Sequence, residues 1–218
     1  MLQSFAQNLI DFIFPKSEDV HYLESLSAGG LVEKLSKARE IESENLIVLF
    51  DYKDPLVKTM IWELKYKGNR KIAQKFAEIL VDVLNHELAE RAVFENFKNP
   101  WLIPIPISNK RRRERGWNQI EILAEEIMKL NTENLCEYSP KVLIKHIHTD
   151  SQARTHATKR ERLENLSNSM SVQGGTYVRG RNIILLDDVT TTGSTFTEAK
   201  RVLKESGAKK ILCVALAH

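Results

Sequence analysis

Two adjacent acids and the hydroxyl-rich turn behind them form the segment of this chain best suited to chemistry. Asp187 and Asp188 end an apolar run at residues 183–186, and a turn of Thr, Gly and Ser at residues 190–195 leads into a helical pattern. Backbone N–H groups in such a turn can surround a phosphate, with the positive end of the next helix behind it. Carboxylates beside a phosphate cradle indicate a sugar phosphate, because they accept hydrogen bonds from hydroxyl groups or hold a hydrated cation.

A basic segment is the second candidate anion site. Pro104 and Pro106 limit the pairing of a strand-like run at residues 101–107 and indicate a strand end or an edge, and residues 108–116 then read as a basic loop. Cations after a strand end are well placed to bind a diphosphate, and they also attract nucleic acid phosphates. A solvated surface loop is the alternative, although it leaves the paired prolines and the closing residues 115–119 unexplained.

A polar segment begins at Thr149 and shows no periodicity up to residue 158. Segments of this kind are often functional lids, and the alternative is a surface excursion. The spacing of His146, His148 and His156 and the lack of a nearby thiol favour exposed histidines over metal ligands.

The composition is that of an ordinary soluble protein. Charged residues make up 28% of the 218 residues, the net charge is +3, and no apolar run approaches the roughly 18 residues that span a bilayer. Residues 1–14 lack the basic leader of a signal peptide. Cys136 and Cys213 lie far apart beside apolar residues, which predicts buried free thiols rather than a disulfide or a zinc site. A reducing, cytoplasmic setting is expected.

The elements that must position these residues alternate between strands and helices. From about residue 101, short apolar runs and helical patterns follow each other, which predicts an α/β fold with a mostly parallel twisted sheet and helices on both faces. Ligands bind beyond the carboxyl ends of the strands in such sheets, where both candidate anion sites fall. Residues 1–45 are expected to form a small helical appendage and residues 46–218 the main domain. Within the appendage, a helix at residues 22–40 is expected to be interrupted at Gly29-Gly30.

The complete string from the apolar run to Thr195 resembles the phosphoribosyl-diphosphate (PRPP) binding signature of the type I phosphoribosyltransferases. It fits neither a Walker P-loop nor the glycine pattern of a dinucleotide site. The closing Arg-Gly-Trp-Asn-Gln of the basic segment narrows the resemblance to ComF, the competence-associated branch of that group. Residues 50–56, the Leu-Lys-Tyr-Lys-Gly string at 64–68 and positions between 149 and 165 resemble the same branch, so the matches run from about residue 46 to residue 218.

The resemblance implies a type I phosphoribosyltransferase fold and assigns roles to the site residues. Asp187 and Asp188 would contact the ribose hydroxyls and form the catalytic pair. The 5-phosphate would be held by Thr191, Thr192, Gly193, Ser194 and Thr195, with Thr190 shaping the loop. The departing diphosphate would meet Ser108, Asn109, Lys110, Arg113 and Arg115, and the lid would contain Thr149, Ser151, Gln152 and Arg160.

Mg²⁺ is the implied cofactor, bound with PRPP and held mainly by substrate oxygens and waters rather than by direct protein ligands. Many ComF proteins open with a four-cysteine zinc ribbon, whereas the corresponding stretch of this chain, after Phe14-Pro15, contains no cysteine. No zinc is therefore expected.

The function implied by the resemblance is a phosphoribosyltransferase with an unidentified acceptor, associated with DNA uptake in natural transformation. One alternative is a non-catalytic protein that senses PRPP, or serves as a platform for single-stranded DNA and for competence helicase and recombination proteins. Another alternative is a nucleotide salvage transferase without a link to DNA. None of these functions calls for insertion into a membrane.

Overall fold

The computed structural model describes residues 17–39, 45–146, 169–173 and 178–218 of the chain. The helices are α1 (Glu18–Ser25), α2 (Ala28–Lys34), α3 (Pro55–Trp62), α4 (Arg70–Phe94), α5 (Asn109–Arg115), α6 (Gln119–Leu130) and α7 (Ser194–Glu205), and a π-helical turn (Glu63–Lys67) extends α3. The strands are β1 (Leu46–Phe50), β2 (Trp101–Pro104), β3 (Glu137–Tyr138), β4 (Leu143–Lys145), β5 (Met170–Val172), β6 (Asn182–Val189) and β7 (Lys210–Ala217). None of these described helices is long and apolar enough to cross a membrane.

Five of the described strands form one parallel sheet in the order β1-β7-β6-β2-β3, and β4 pairs with β5 in a separate antiparallel ribbon. The predicted mostly parallel sheet is thus confirmed. The proline-bounded strand β2 ends at Pro104 but is not an edge, since it lies between β6 and β3. Because the strands are parallel, the segments that follow β1, β2, β6 and β7 all leave the sheet on the same side, where the carboxyl ends of the strands lie.

Alternate side chains of β6 face opposite layers. Ile184 and Leu186 pack in a core with residues of α3, α4 and α6, whereas Ile183 and Leu185 pack in a second core with residues of α7. A strand covered by helices on both sides needs apolar side chains on both sides, which explains the uninterrupted apolar run before the two acids. The predicted helical layers on both faces are therefore present.

The amino-terminal helices α1 and α2 share a core with the sheet. Leu23 and Leu31 are fully buried and join the cluster that contains Phe50 at the end of β1. The break between the two helices falls before Ser27, whose hydroxyl accepts a hydrogen bond from the N–H of Gly30 at 3.1 Å and so caps α2. The interruption predicted at the paired glycines is wrong, because both glycines lie inside α2.

The basic segment folds as helix α5 rather than as the predicted loop. The Ser108 hydroxyl accepts a hydrogen bond from the N–H of Arg111 at 3.3 Å at the start of the helix, and Gly116 ends it with a φ of 82°. These are ordinary start and stop signals for a helix. None of the α5 side chains is fully buried, so the helix presents its charges at the surface.

Cys136 and Cys213 are buried free thiols, as predicted. Burial raises the pKa of the Cys136 thiol to about 11 and that of Cys213 to about 12. Neither side chain is therefore a thiolate at neutral pH, which makes reactive-cysteine chemistry unsuitable for either position.

Candidate functional site

The second acid of the pair is held by two partners from distant parts of the chain. Asp188 lies near the carboxyl end of β6 with only 5% of its surface exposed. Gln119, the first residue of α6, donates its side-chain N–H to Asp188 Oδ2 at 2.7 Å. Lys65 of the π-helical turn places its Nζ 3.2 Å from Asp188 Oδ1. Both carboxylate oxygens are thus engaged, and the carboxylate has a fixed orientation.

The first acid has different surroundings. Part of the Asp187 residue reaches the surface, whereas its carboxyl group is enclosed by protein, and its Oδ1 accepts the backbone N–H of Asp188 at 2.9 Å. Burial, with the negative charge of Asp188, raises the pKa of Asp187 to about 7, although Lys65 and Lys145 act in the opposite direction. The two neighbouring acids therefore differ: one is locked by a lysine and an amide, and the other changes protonation near neutral pH.

The turn after β6 leaves the start of α7 open to an anion. Thr190 is buried, and its N–H donates to the carbonyl of Ala217 at 2.9 Å, which fixes where the turn begins. Gly193 adopts a φ of 71° and precedes α7 without a side-chain cap. A Cβ at Gly193 would meet no atom within 4 Å, so the space above this glycine is open. Uncapped N–H groups at a helix start are the donors that a phosphate requires.

The hydroxyl side chains of the turn lie around the same helix start. Thr192 donates its hydroxyl to that of Ser194 at 3.0 Å, and Thr191 is exposed. Ser194 is buried and Thr195 is half-buried in the first turn of α7. The structure therefore brings the predicted 5-phosphate residues together in one turn, directly after the two acids.

The predicted diphosphate residues lie on α5 and divide into two groups. Ser108 is buried and engaged as the helix cap, whereas Asn109, Lys110 and Arg113 are exposed. Arg115 donates to Gln119 Oε1 at 3.0 Å, and its guanidinium lies 4.9 Å from the centre of the Tyr66 ring. Since Gln119 also binds Asp188, one amide side chain connects the basic helix to the acids.

The two sequence strings that carried the ComF resemblance pack against each other. Gly68 adopts a φ of 59°, and a Cβ there would come within 3.1 Å of the Trp117 ring, so both backbone conformation and close packing require glycine. Asn118 accepts the N–H of Ile120 at 3.0 Å and donates to the carbonyl of Ile105 at 3.2 Å, which ties the start of α6 to the chain beyond β2. These contacts place Lys65 and Gln119 beside the carboxylate of Asp188.

Lys65 and Gln119 are the site residues that sequence reasoning missed. Both belong to the two strings that resemble ComF, Leu-Lys-Tyr-Lys-Gly and Arg-Gly-Trp-Asn-Gln, but the strings are far apart in sequence. Burial lowers the pKa of Lys65, but the carboxylates of Asp188 and Asp187 outweigh it, so the net shift is upward and the lysine stays charged. The predicted lid residues Thr149, Ser151, Gln152 and Arg160 lie outside the described residues.

Comparison with known proteins supports the predicted family. The family described as "Phosphoribosyl transferase domain" matches residues 135–218, which include β6, the turn and α7. The competence protein ComFC of Bacillus subtilis is 29% identical over 73% of this chain and 58% of its own length. Competence protein F of Haemophilus influenzae is 28% identical, over 80% of this chain and 73% of its own. In sequence, the chain is similar to these ComF competence proteins.

A further relative is the DNA utilization protein YhgH of Escherichia coli K12, 27% identical over 77% of this chain and 69% of its own length. The phosphoribosyl transferase match, together with the parallel sheet, confirms the predicted fold class. A solved structure of glutamine PRPP amidotransferase from B. subtilis, complexed with ADP and GMP, aligns over 71% of this chain and 30% of that chain. Its identity is 16% and its TM-score 0.36, a likeness too low to support an inference.

Proposed function

We propose that this ComF-type protein binds PRPP together with Mg²⁺ at the β6–α7 turn and transfers its phosphoribosyl group. The observation that best supports the proposal is the position of Asp187 and Asp188 a few residues before Gly193, where α7 begins without a side-chain cap. The N–H groups of α7 would hold the 5-phosphate, and the carboxylates would accept hydrogen bonds from the ribose hydroxyls. The exposed cations of α5, which also lies at the carboxyl ends of the strands, would attract the diphosphate.

Most of the work assigned to this chain is positioning and electrostatics. Asp188, fixed by Lys65 and Gln119, would orient the ribose, and Asp187 would favour the positive charge that develops on the anomeric carbon. Lys110 and Arg113 would stabilise the negative charge of the departing diphosphate. Oxygen atoms are the ligands that Mg²⁺ prefers, and the site provides them. Mg²⁺ bound with the substrate would offset part of the negative charge of the diphosphate.

Calorimetric titration with PRPP and Mg²⁺ tests the site. The wild-type protein should bind, and Asp187→Ala should bind at least about tenfold more weakly, because a charge-assisted contact is worth roughly 1.5–3 kcal/mol. Asp82→Ala, which removes an exposed acid from α4, is the matched control and should bind like the wild type. Equal PRPP affinity of Asp187→Ala and the wild-type protein would contradict the assignment of the two acids to the PRPP site.

A second candidate function is contact with single-stranded DNA during uptake, in keeping with the name of the DNA utilization relative. The observation that favours it is the surface helix α5, in which Lys110 and Arg113 are exposed beside Arg112. Phosphate contacts release counterions, so binding would weaken steeply with salt.

Fluorescence anisotropy with labelled oligothymidylate at several salt concentrations tests this contact. Arg113→Ala should weaken binding and reduce the logarithmic salt slope by about 0.7, the value for one phosphate contact on a single strand. Lys71→Ala, at an exposed position of α4, is the matched control and should leave the slope unchanged. Binding that does not depend on salt would rule out this role for α5.

A further inference from the structure

Five side chains around Asp188 form a closed ring of contacts. The Arg115 guanidinium lies 4.9 Å from the centre of the Tyr66 ring and donates to Gln119 Oε1 at 3.0 Å. Gln119 donates in turn to Asp188 Oδ2 at 2.7 Å, and Lys65 lies 3.2 Å from Asp188 Oδ1. Lys65 and Tyr66 are neighbours in the π-helical turn, so the series of contacts closes on itself. This contact ring joins α5, α6, β6 and the π-helical turn.

A short turn between α5 and α6 brings Arg115 next to Gln119. Gly116 ends α5 with a φ of 82°, and Asn118 begins α6 by accepting the N–H of Ile120 at 3.0 Å. The last residue of one helix therefore meets the first residue of the next. The hydrogen bond between their side chains connects two helices that local sequence signals end and begin.

The two partners of Gln119 fix the orientation of its amide. A guanidinium can only donate hydrogen bonds, so the carbonyl oxygen of the amide faces Arg115. A carboxylate accepts them, so the NH₂ group faces Asp188. Gln119 is only 5% exposed, which gives water little access to replace either partner. The amide is therefore an ordered polar bridge between a cation of the basic helix and a carboxylate of β6.

The two ends of this bridge belong to the two halves of the proposed PRPP site. Arg115 is among the residues expected to meet the diphosphate, whereas Asp188 is expected to hold the ribose. A guanidinium has five N–H donors, and the hydrogen bond to Gln119 uses one of them. A diphosphate bound by other donors of this guanidinium would restrict its motion, and through Gln119 it would also restrict the carboxylate. The second ligand would then bind to side chains that are already ordered, at a lower entropic cost.

We propose that Gln119 is a positioning residue that couples the two halves of the PRPP site, so that a diphosphate and a ribose 5-phosphate strengthen each other's binding. This inference rests on the proposed function. Coupling between two sites is reciprocal, so each ligand raises the affinity for the other by the same factor. Once transfer has separated the two groups, departure of the diphosphate would loosen the ribose half of the site and promote release of the product.

Calorimetric titration with the two halves of PRPP as separate probes tests the coupling. Ribose 5-phosphate and Mg²⁺ are titrated with and without saturating inorganic pyrophosphate, and the ratio of the two dissociation constants is the coupling factor. The wild-type protein should give a factor of at least about five. Gln119→Leu, which removes both polar atoms of the bridge, should lower the factor about fivefold. Mg²⁺ can also link the two ligands directly, but it does so in every variant, so the difference between the proteins reports the bridge.

Two further variants separate coupling from a merely structural loss. Gln74→Leu makes the same substitution at an exposed position of α4, where the amide also donates to a carboxylate, and should keep the wild-type factor. Arg115→Ala removes the other end of the bridge, while the exposed cations of α5 still attract pyrophosphate. Since Arg115 is only half-buried, this variant tests the bridge even where Gln119→Leu does not fold. A general loosening of the fold would weaken both ligands and leave the coupling factor unchanged.

The outcomes distinguish this inference from the function on which it rests. A lower coupling factor in the folded bridge variants, with the wild-type factor in Gln74→Leu, supports the role of Gln119. An unchanged factor in either bridge variant overturns that role but not the PRPP site, because each ligand still binds. A wild-type protein whose affinity for ribose 5-phosphate does not respond to pyrophosphate overturns it as well. Failure of the wild-type protein to bind PRPP or either half overturns the proposed function together with the inference.

Discussion

At the scale of single residues, the two acids differ because their side chains leave β6 on opposite sides. Asp188 faces α6 and the π-helical turn, where Gln119 and Lys65 hold it. Asp187 faces the other layer, where burial and the neighbouring carboxylate disfavour its charge. One acid is therefore a fixed acceptor, and the other can exchange a proton with its surroundings at neutral pH.

The ion pair between Lys65 and Asp188 should contribute to stability, because Asp188 is almost fully buried. We expect Lys65→Met to lower the free energy of unfolding by about 2 kcal/mol, since it leaves a buried carboxylate with one partner fewer. The same substitution in an Asp188→Asn background should cost less. Urea unfolding of the four proteins gives the coupling energy. A coupling energy near zero would contradict the pairing, and Lys71→Met at an exposed position is the control.

The raised pKa of Asp187 should make the stability of the protein depend on pH. Its pKa of about 7 in the folded protein exceeds the ordinary value of 3.8, so its contribution to stability is largest below about pH 4 and is lost as the pH rises to about 7. Asp187→Asn should therefore stabilise the protein at about pH 8, by on the order of 1 kcal/mol, and much less at about pH 5. Thermal melts at the two pH values check this. An equal gain in stability from Asp187→Asn at both pH values would contradict the raised pKa of Asp187.

At the scale of elements, the site depends on a glycine at the start of α7. Gly193 has a φ of 71° and open space where a Cβ would lie. Gly193→Ala should cost about 1 kcal/mol of stability and should weaken PRPP binding far more, because the new methyl group occupies the approach to the helix start. Gly180→Ala is the matched control, since Gly180 has a φ of 73° and equally open surroundings. Equal losses of PRPP affinity in both variants would show that backbone strain alone is responsible.

Elements of the site differ in how far the sequence predicts them. The strand β6 and the turn behind it are local, so their residue types predict both the sheet and the candidate phosphate cradle. The roles of Lys65 and Gln119 depend on packing between α3, α6 and β6, which no local pattern reports. The loop predicted for α5 is wrong because residues 109–115 contain no apolar residue, so only the capping residues Ser108 and Gly116 indicate a helix.

At the scale of the whole molecule, helices α1 and α2 pack into the same core as α4 and the sheet. Leu31 of α2 is fully buried in the cluster that also contains Phe76 of α4. Leu31→Ala should lower the free energy of unfolding by about 2–5 kcal/mol, as for other leucines removed from a core. Val93→Ala, at a position 76% exposed, should change it by less than about 0.5 kcal/mol. Similar small effects of both substitutions in urea unfolding would contradict a shared core.

We expect PRPP to bind at the carboxyl ends of the strands, between the β6–α7 turn and α5. A crystal structure of the protein with PRPP and Mg²⁺ is the decisive measurement. It should place the 5-phosphate at the N–H groups that follow Gly193, the ribose hydroxyls at Asp187 and Asp188, and the diphosphate toward α5. A PRPP molecule bound away from the two acids, or density for it only among the exposed cations of α5, would contradict this site.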